Sequence, residues 1–181
     1  MAEFAIETPR LVLREWRAGD VEPMLGMRQD PRVMATLGPV QTRKQVEDAA
    51  VRQAELQRTR GYCSWIVESK GRAEVIGSCG LQPIAPGTPL GDVVEIGWKL
   101  RHDSWGSGYA YEAANAVFEW SWANRPGERI YAIAARTNAR SIRLMERLAM
   151  TPLPDCDFDH PRLAPGDPLR PHVAYVKEPP Q

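Results

Sequence analysis

Cysteine is scarce in this chain and carries no pattern. Cys63, Cys79 and Cys156 are odd in number and far apart, with no CxxC and no Cys/His spacing suited to a metal. That argues against a disulfide framework and a zinc site, and leaves buried free thiols as the expectation. Neither charge is in surplus: Lys and Arg number 23, as do Asp and Glu. No excess of positive charge argues for nucleic acid, although the balance leaves room for a local patch. No apolar run is long enough to span a bilayer, and the opening "MAEFAIETPR" has no apolar signal-peptide core. The expectation is no membrane and a reducing cytoplasm. Nucleotide motifs are missing too. There is no GxxxxGK[ST], and a GxGxxG reading of Gly106 and Gly108 fails at Tyr111.

What is present suits one ordinary domain over residues 1–181, with 43% hydrophobic and 25% charged residues. "RLVLREW" alternates and predicts a strand, with Leu11 and Leu13 on one face. Short helices are expected after Asp20 and around Pro31 to Leu37. A longer one should start at Thr42, with Gln45 completing a capping box, and stop at Gly61. "YCSWIVE", "EVIGSCGL", "VVEIGWKL" and "RIYAIAA" read as strands. On the third of these, Glu95, Gly97 and Lys99 share one face, and Ile96, Trp98 and Leu100 the other. Asn138 should cap a helix whose inner face carries Ile142, Met145 and Leu148. In the proline-rich tail, "DCDFD" and "HVAYVK" form a candidate long-looped hairpin. The order predicts a mixed α/β (α+β) domain on one central sheet.

The stretch "WGSGYAYEAANAVFEW" places Gly106 and Gly108 between a strand and a helix, with Ala110, Ala113, Ala114, Val117, Phe118 and Ser121 at helical spacing. A helix start offers unpaired N–H groups and the positive end of its dipole, and glycine lets backbone approach a phosphate without a Cβ in the way. A plain glycine turn is the alternative reading of the pair by itself.

"VEIGWKLRHDSWGSGYAYEA" followed by "TNARSIRLMERLAM", with "TPRLVLREWRAGDVEPML" before and "HVAYV" after, resembles the GNAT superfamily of acyl-CoA N-acyltransferases, and within it the RimJ/RimL-type branch. The likeness runs over nearly the whole chain. It implies the GNAT fold: a mixed, mostly antiparallel sheet that splays at the cofactor cleft and is flanked by helices. It implies acetyl-CoA as co-substrate, no metal, and an amine as acceptor, and it admits a homodimer. Trp98 and Leu100 would lie along the pantetheine arm. Trp105, Gly106, Ser107, Gly108, Tyr109 and Ala110 would wrap the pyrophosphate, and Asn138 and Ser141 would stand near the thiol end. Three positions depart from the pattern. Asp103 stands where Arg or Gln is common, so backbone N–H groups are expected to carry most of the pyrophosphate binding. Ala149 replaces a glycine after the helix. A tyrosine that many members place after the Asn is missing.

Acyl transfer from a thioester to an amine requires loss of a proton from the ammonium, stabilisation of an oxyanion, and a proton or tolerance for the thiolate. Ser141 is the candidate for the last task; a serine bonded only to its own helix is the alternative. Glu95 is the first candidate for the base. His160, whose ordinary pKa suits the task, competes with it, as do Asp157 and Asp159, and three acids around "DCDFDHP" could attract a cationic amine. Backbone N–H groups around Ile96 to Trp98 are candidate oxyanion donors. Trp16 and Trp65 are candidates for an acceptor pocket, while His102 and His172 read as structural or exposed. A catalytically silent acyl-CoA binder is the rival from another class.

Overall fold

The computed structural model describes residues 4–180; the outermost residues of the expected 1–181 domain, including the first three of the opening stretch, lie outside them. The chain begins with strands β1 (Ala5–Glu7) and β2 (Leu11–Arg14), then helices α1 (Val21–Gln29) and α2 (Pro31–Met34). Helix α3 (Arg43–Arg60) begins at the predicted capping box, with Thr42 and Gln45 bonded reciprocally, and ends at Gly61 in the left-handed region, φ 75°. Strands β3 (Ser64–Ser69), β4 (Glu74–Pro83) and β5 (Val94–Leu100) follow, then α4 (Tyr109–Asn124), β6 (Ile130–Ala135) and α5 (Ala139–Arg147). The tail adds β7 (Thr151–Pro152), β8 (Phe158–Asp159) and β9 (Pro171–Lys177). β8 and β9 are the long-looped hairpin expected of the tail, with Phe158 opposite His172.

Among the described residues these strands make one sheet in the order β1-β2-β3-β4-β5-β6-β9-β7, with β8 also on β9. Every pair is antiparallel except β5 with β6. That parallel ladder is short. It joins Val94 to Ile130 and Glu95 to Tyr131, and no later residue of β5 is paired with β6. Past Glu95 the two strands diverge, and those β5 backbone groups that point toward β6 are left without a ladder partner. This opening is what positions the site.

The apolar face of α4 closes the sheet from one side. Ala113, Ala114, Val117, Phe118 and Ser121 are buried as the spacing predicts, and so is Ala116. Small side chains let the helix lie close to the strands. On the other side Met24, Leu25, Met27, Val33, Met34 and Val46 of α1 to α3 make a second cluster against Ile66. Beneath them Arg14 bonds Asp20 through two nitrogens, at 2.8 and 2.9 Å, and Glu68 at 2.7 Å. Those carboxylates raise the guanidinium pKa further, which fixes a buried charge by pairing it. No helix among the described residues is long and apolar enough to cross a membrane.

The α5 exit is unusual. Met150 N–H donates to Met145 O at 3.0 Å and Ala149 N–H to Glu146 O at 2.9 Å, a Schellman pair that needs a left-handed residue between them. That residue is Ala149, at φ 52°. Lys177 compensates in part, donating from Nζ to the carbonyls of Leu148 at 2.7 Å and Ala149 at 3.1 Å.

Candidate active site

Two cavities meet where β5 and β6 diverge. The larger, about 700 Å³, runs between the end of β5, the α4 N-terminus and α5. Trp98, Leu100, Trp105, Gly106, Gly108, Tyr109, Ala110, Asn138 and Ser141 line it; Ser107 does not. Gly106 and Gly108 sit at φ 77° and 80°, a region L-residues rarely occupy, so the loop needs glycine at both. The Trp105 indole N–H donates to Leu100 O at 2.9 Å and ties the loop to the strand. From behind, Arg10 bonds the Ser107 carbonyl at 2.9 Å and Glu112 at 2.6 Å. A Cβ at Gly108 would lie 3.5 Å from Arg10 Nη2, an ordinary contact, so among the described residues it is φ that requires glycine here. Asp103 turns back onto Arg101, at 2.5 Å.

Four arginines also line this cleft: Arg32, Arg140, Arg143 and Arg147. The cleft thus adds guanidinium side chains to the backbone N–H groups expected to carry most of an anion's binding. Arg140, Arg143 and Arg147 recur on one side of α5, at a spacing the sequence displays but does not by itself mark as a site. Arg140 lies 4.3 Å over the Trp105 ring and Arg147 5.1 Å over Tyr111, which orients both guanidinium groups. Guanidinium groups and a helix N-terminus lining one cleft make a donor set suited to a diphosphate, with Arg32 already bonded to Asp30 at 2.7 Å.

The smaller cavity, about 240 Å³, lies on the other side of β5. Glu95 lines it, buried, and accepts from Gln82 Nε2 at 3.0 Å. Burial pushes its carboxyl up to about 7, against the Gln82 bond and the charges of Lys99 and Arg162. Gly97 is next along the same face, and a Cβ there would meet nothing within 4 Å. Lys99 follows, half-buried, and desolvation together with Arg28 lowers its ammonium to about 8, against the pull of Glu95. His160 and His172 form part of the opposite wall, rings 4.8 Å apart. Desolvation, then His172 and Arg162, hold His160 below the usual imidazole value. His172, read from the sequence as structural or exposed, lines the cavity as the first residue of the predicted strand "HVAYVK".

Asp157 and Asp159 are not among the lining residues. Asp157 pairs with Arg136 at 2.8 Å and Asp159 with Arg170 at 3.3 Å. Trp65 lies in the core, stacked on Phe4 with centroids 4.9 Å apart, and Trp16 donates to Ser64 O at 2.7 Å; neither reaches the cavity. Thr36, Trp98, Lys99, Asn138 and Ser141 line both cavities and so mark their junction. Asn138 caps α5 by accepting from Ser141 N–H at 3.1 Å, and Ser141 Oγ accepts from the Trp98 indole N–H at 3.3 Å.

Residues 10–151 match the acetyltransferase (GNAT) domain family. The chain belongs to that family. It is an N-acetyltransferase, an acyltransferase that draws on acetyl-CoA. Relatives by sequence include the uncharacterized protein YkkB of Bacillus subtilis strain 168, 29% identical over 150 residues that cover 82% of this chain and 86% of YkkB. The uncharacterized N-acetyltransferase p20 of Bacillus licheniformis is also 29% identical, over 78% of this chain and 79% of its own. The acetyltransferase of Agrobacterium tumefaciens C58 superimposes with a TM-score of 0.76 at 24% identity, over 98% of this chain and 95% of its own. RimL, a ribosomal L7/L12 α-N-protein acetyltransferase solved with coenzyme A, superimposes with a TM-score of 0.78 at 16% identity, over 97% and 98%. These superpositions share the GNAT fold with this chain.

Proposed function

We propose that the protein moves the acetyl group of acetyl-CoA directly onto a primary amine, a protein N-terminus or a small amine, in the manner of the RimJ/RimL-type branch. The observation that carries this reading is the junction itself: a cavity holding a buried carboxylate opens, through Trp98 and Ser141, onto a cleft built for an anionic cofactor. The cleft residues Trp105, Gly106, Gly108, Tyr109 and Ala110 and the guanidinium groups of Arg140, Arg143 and Arg147 hold the cofactor, which supplies an acetyl group activated as a thioester. Glu95 takes the proton of the incoming ammonium, and its raised pKa near 7 makes it a competent base at neutral pH. Those N–H groups of Ile96 to Trp98 that have no β6 partner face charge building on the acyl oxygen. Ser141, one lone pair occupied by Trp98, keeps its hydroxyl hydrogen for the departing sulfur. His160 is the second candidate for the base. A reducing cytoplasm fits this reading, with the Cys63 and Cys79 thiols buried and pushed up to about 12.

The test is thiol release from acetyl-CoA with a panel of small amines and of peptides beginning with Ala, Ser or Thr. Turnover with at least one class supports the proposal. Acetyl-CoA that protects the protein against heat, with no thiol released above background for any amine, would instead identify a silent acyl-CoA binder.

A further inference from the structure

Two of the three acids expected to draw a cationic amine toward this site are spent elsewhere, and the third, Asp155, does not line the cavity. Asp157 and Asp159 pair with Arg136 and Arg170, which leaves Glu95 as the sole carboxylate among the residues lining the smaller cavity. Lys99 in the lining, and Arg28 and Arg162 outside it, are less well matched. Lys99 Nζ has no hydrogen bond or ion pair among the described residues, although it lines both cavities. Arg28, near enough to act on the Lys99 charge, is buried with a single side-chain hydrogen bond, from Nη1 to Gln41 at 2.8 Å, and its Nε has no partner. Arg162 adds a third positive charge within reach of Glu95. A buried or half-buried cation without an acceptor costs free energy that a bound anion recovers.

The floor is arranged to suit. On one face of β5 an acid at Glu95 and a base at Lys99 flank Gly97, whose missing side chain leaves open space between them. With four residues at about 3.3 Å each between their Cα atoms, and both side chains long, the two charges can lean toward the gap from opposite ends. We propose that the acceptor is a small amine that carries its own acidic group, a free amino acid or a close analogue, whose amine meets Glu95 while its carboxylate is bound by Lys99. This rests on the acetyl-transfer reading above and narrows its acceptor. Polyamines and other polycations are excluded by the same charges.

The experiment compares acid with amide. In thiol-release assays with the intact protein, free serine and other amino acids are set against their carboxamides and against spermidine. A hydrogen-bonded charge pair predicts about tenfold or more in kcat/KM favouring the acid, and little turnover of spermidine. Lys99→Met, which matches the stem and removes the charge, should collapse the acid-to-amide ratio toward unity. Binding supplies the second readout, by calorimetry of N-acetylserine and N-acetylserinamide into the CoA-loaded protein. Tighter binding of the acid, lost in Lys99→Met, supports the subsite even if no amine is turned over, in which case acetyl transfer fails and the subsite stands. Equal use and equal binding of acid and amide, a preference for spermidine, or a ratio unchanged in Lys99→Met would overturn it. If Lys99→Met does not fold, the wild-type ratio decides.

Discussion

The Trp98 indole N–H donates to the Ser141 hydroxyl at 3.3 Å, joining β5 to the first turn of α5 at the point where the two cavities meet. This bond orients the serine oxygen and leaves its hydrogen available for another acceptor. Ser141→Ala should therefore lower kcat by about tenfold or more, the range of a positioned proton donor, with little change in KM for acetyl-CoA. Its melting temperature should stay near that of the wild type, because Ser141 is half-buried and its backbone N–H keeps the Asn138 cap. A marked loss of stability with full activity per folded molecule would make Ser141 structural.

Gly97 offers a separate test of the acceptor cavity. A side chain there meets no protein atom within 4 Å, and its φ lies outside the left-handed region, so Gly97→Val should fold and melt at or above the wild-type temperature. It should also bind CoA normally, since Gly97 lines only the smaller cavity. The expected defect is a rise of about tenfold or more in KM for the amine, because the added methyls fill the space. Unchanged kinetics would move the acceptor elsewhere.

The arginines of the larger cleft make cofactor binding sensitive to salt. Single Arg140→Gln and Arg143→Gln variants should each weaken CoA by about tenfold, the value of one hydrogen bond to a charged group. Raising salt from low to about 0.5 M should weaken the wild type more than either variant, since the Debye length then falls well below 10 Å. Calorimetric affinities that ignore both salt and substitution would return the anion to the backbone alone.

Much of the scaffold was legible in the sequence. Alternation gave the strands, the Thr42 and Gln45 pattern gave the α3 start, and the Asn138 cap lies where the side-chain chemistry placed it. Nine of the ten residues expected at the cofactor line one cleft. What could not be read was pairing between distant segments. Asp157 and Asp159 read as free acids until Arg136 and Arg170 were found beside them, and Trp65 read as an available ring until Phe4 and Trp120 were found against it. The α5 arginines were not singled out in the sequence, because nothing local says that a helix flank borders a cleft. Lys99 was visible on the face of Glu95, but its lack of a partner is a property of the whole fold.

Ala149 carries a stability prediction independent of function. An alanine at φ 52° bears a left-handed penalty of about 1–2 kcal/mol, part of which glycine would return through the freedom of its unfolded chain. Ala149→Gly should raise stability by about 0.5–1 kcal/mol in urea titration, with the midpoint shifted and the slope unchanged. A destabilised variant would show that the Schellman exit is held by Lys177 and packing without strain.

The pH dependence of kcat/KM separates Glu95 from its rival most directly. The base must be deprotonated to act, so activity rises as pH climbs through the pKa of the responsible group. Burial sets Glu95 at about 7, while His160 is held below the usual imidazole value of 6.5. The account predicts an acidic limb near 7 in the wild type, and a Glu95→Gln enzyme slower by about 10²-fold or more in which that limb is absent. A limb below 6.5 that disappears in His160→Ala, with Glu95→Gln running at the wild-type rate, would contradict it.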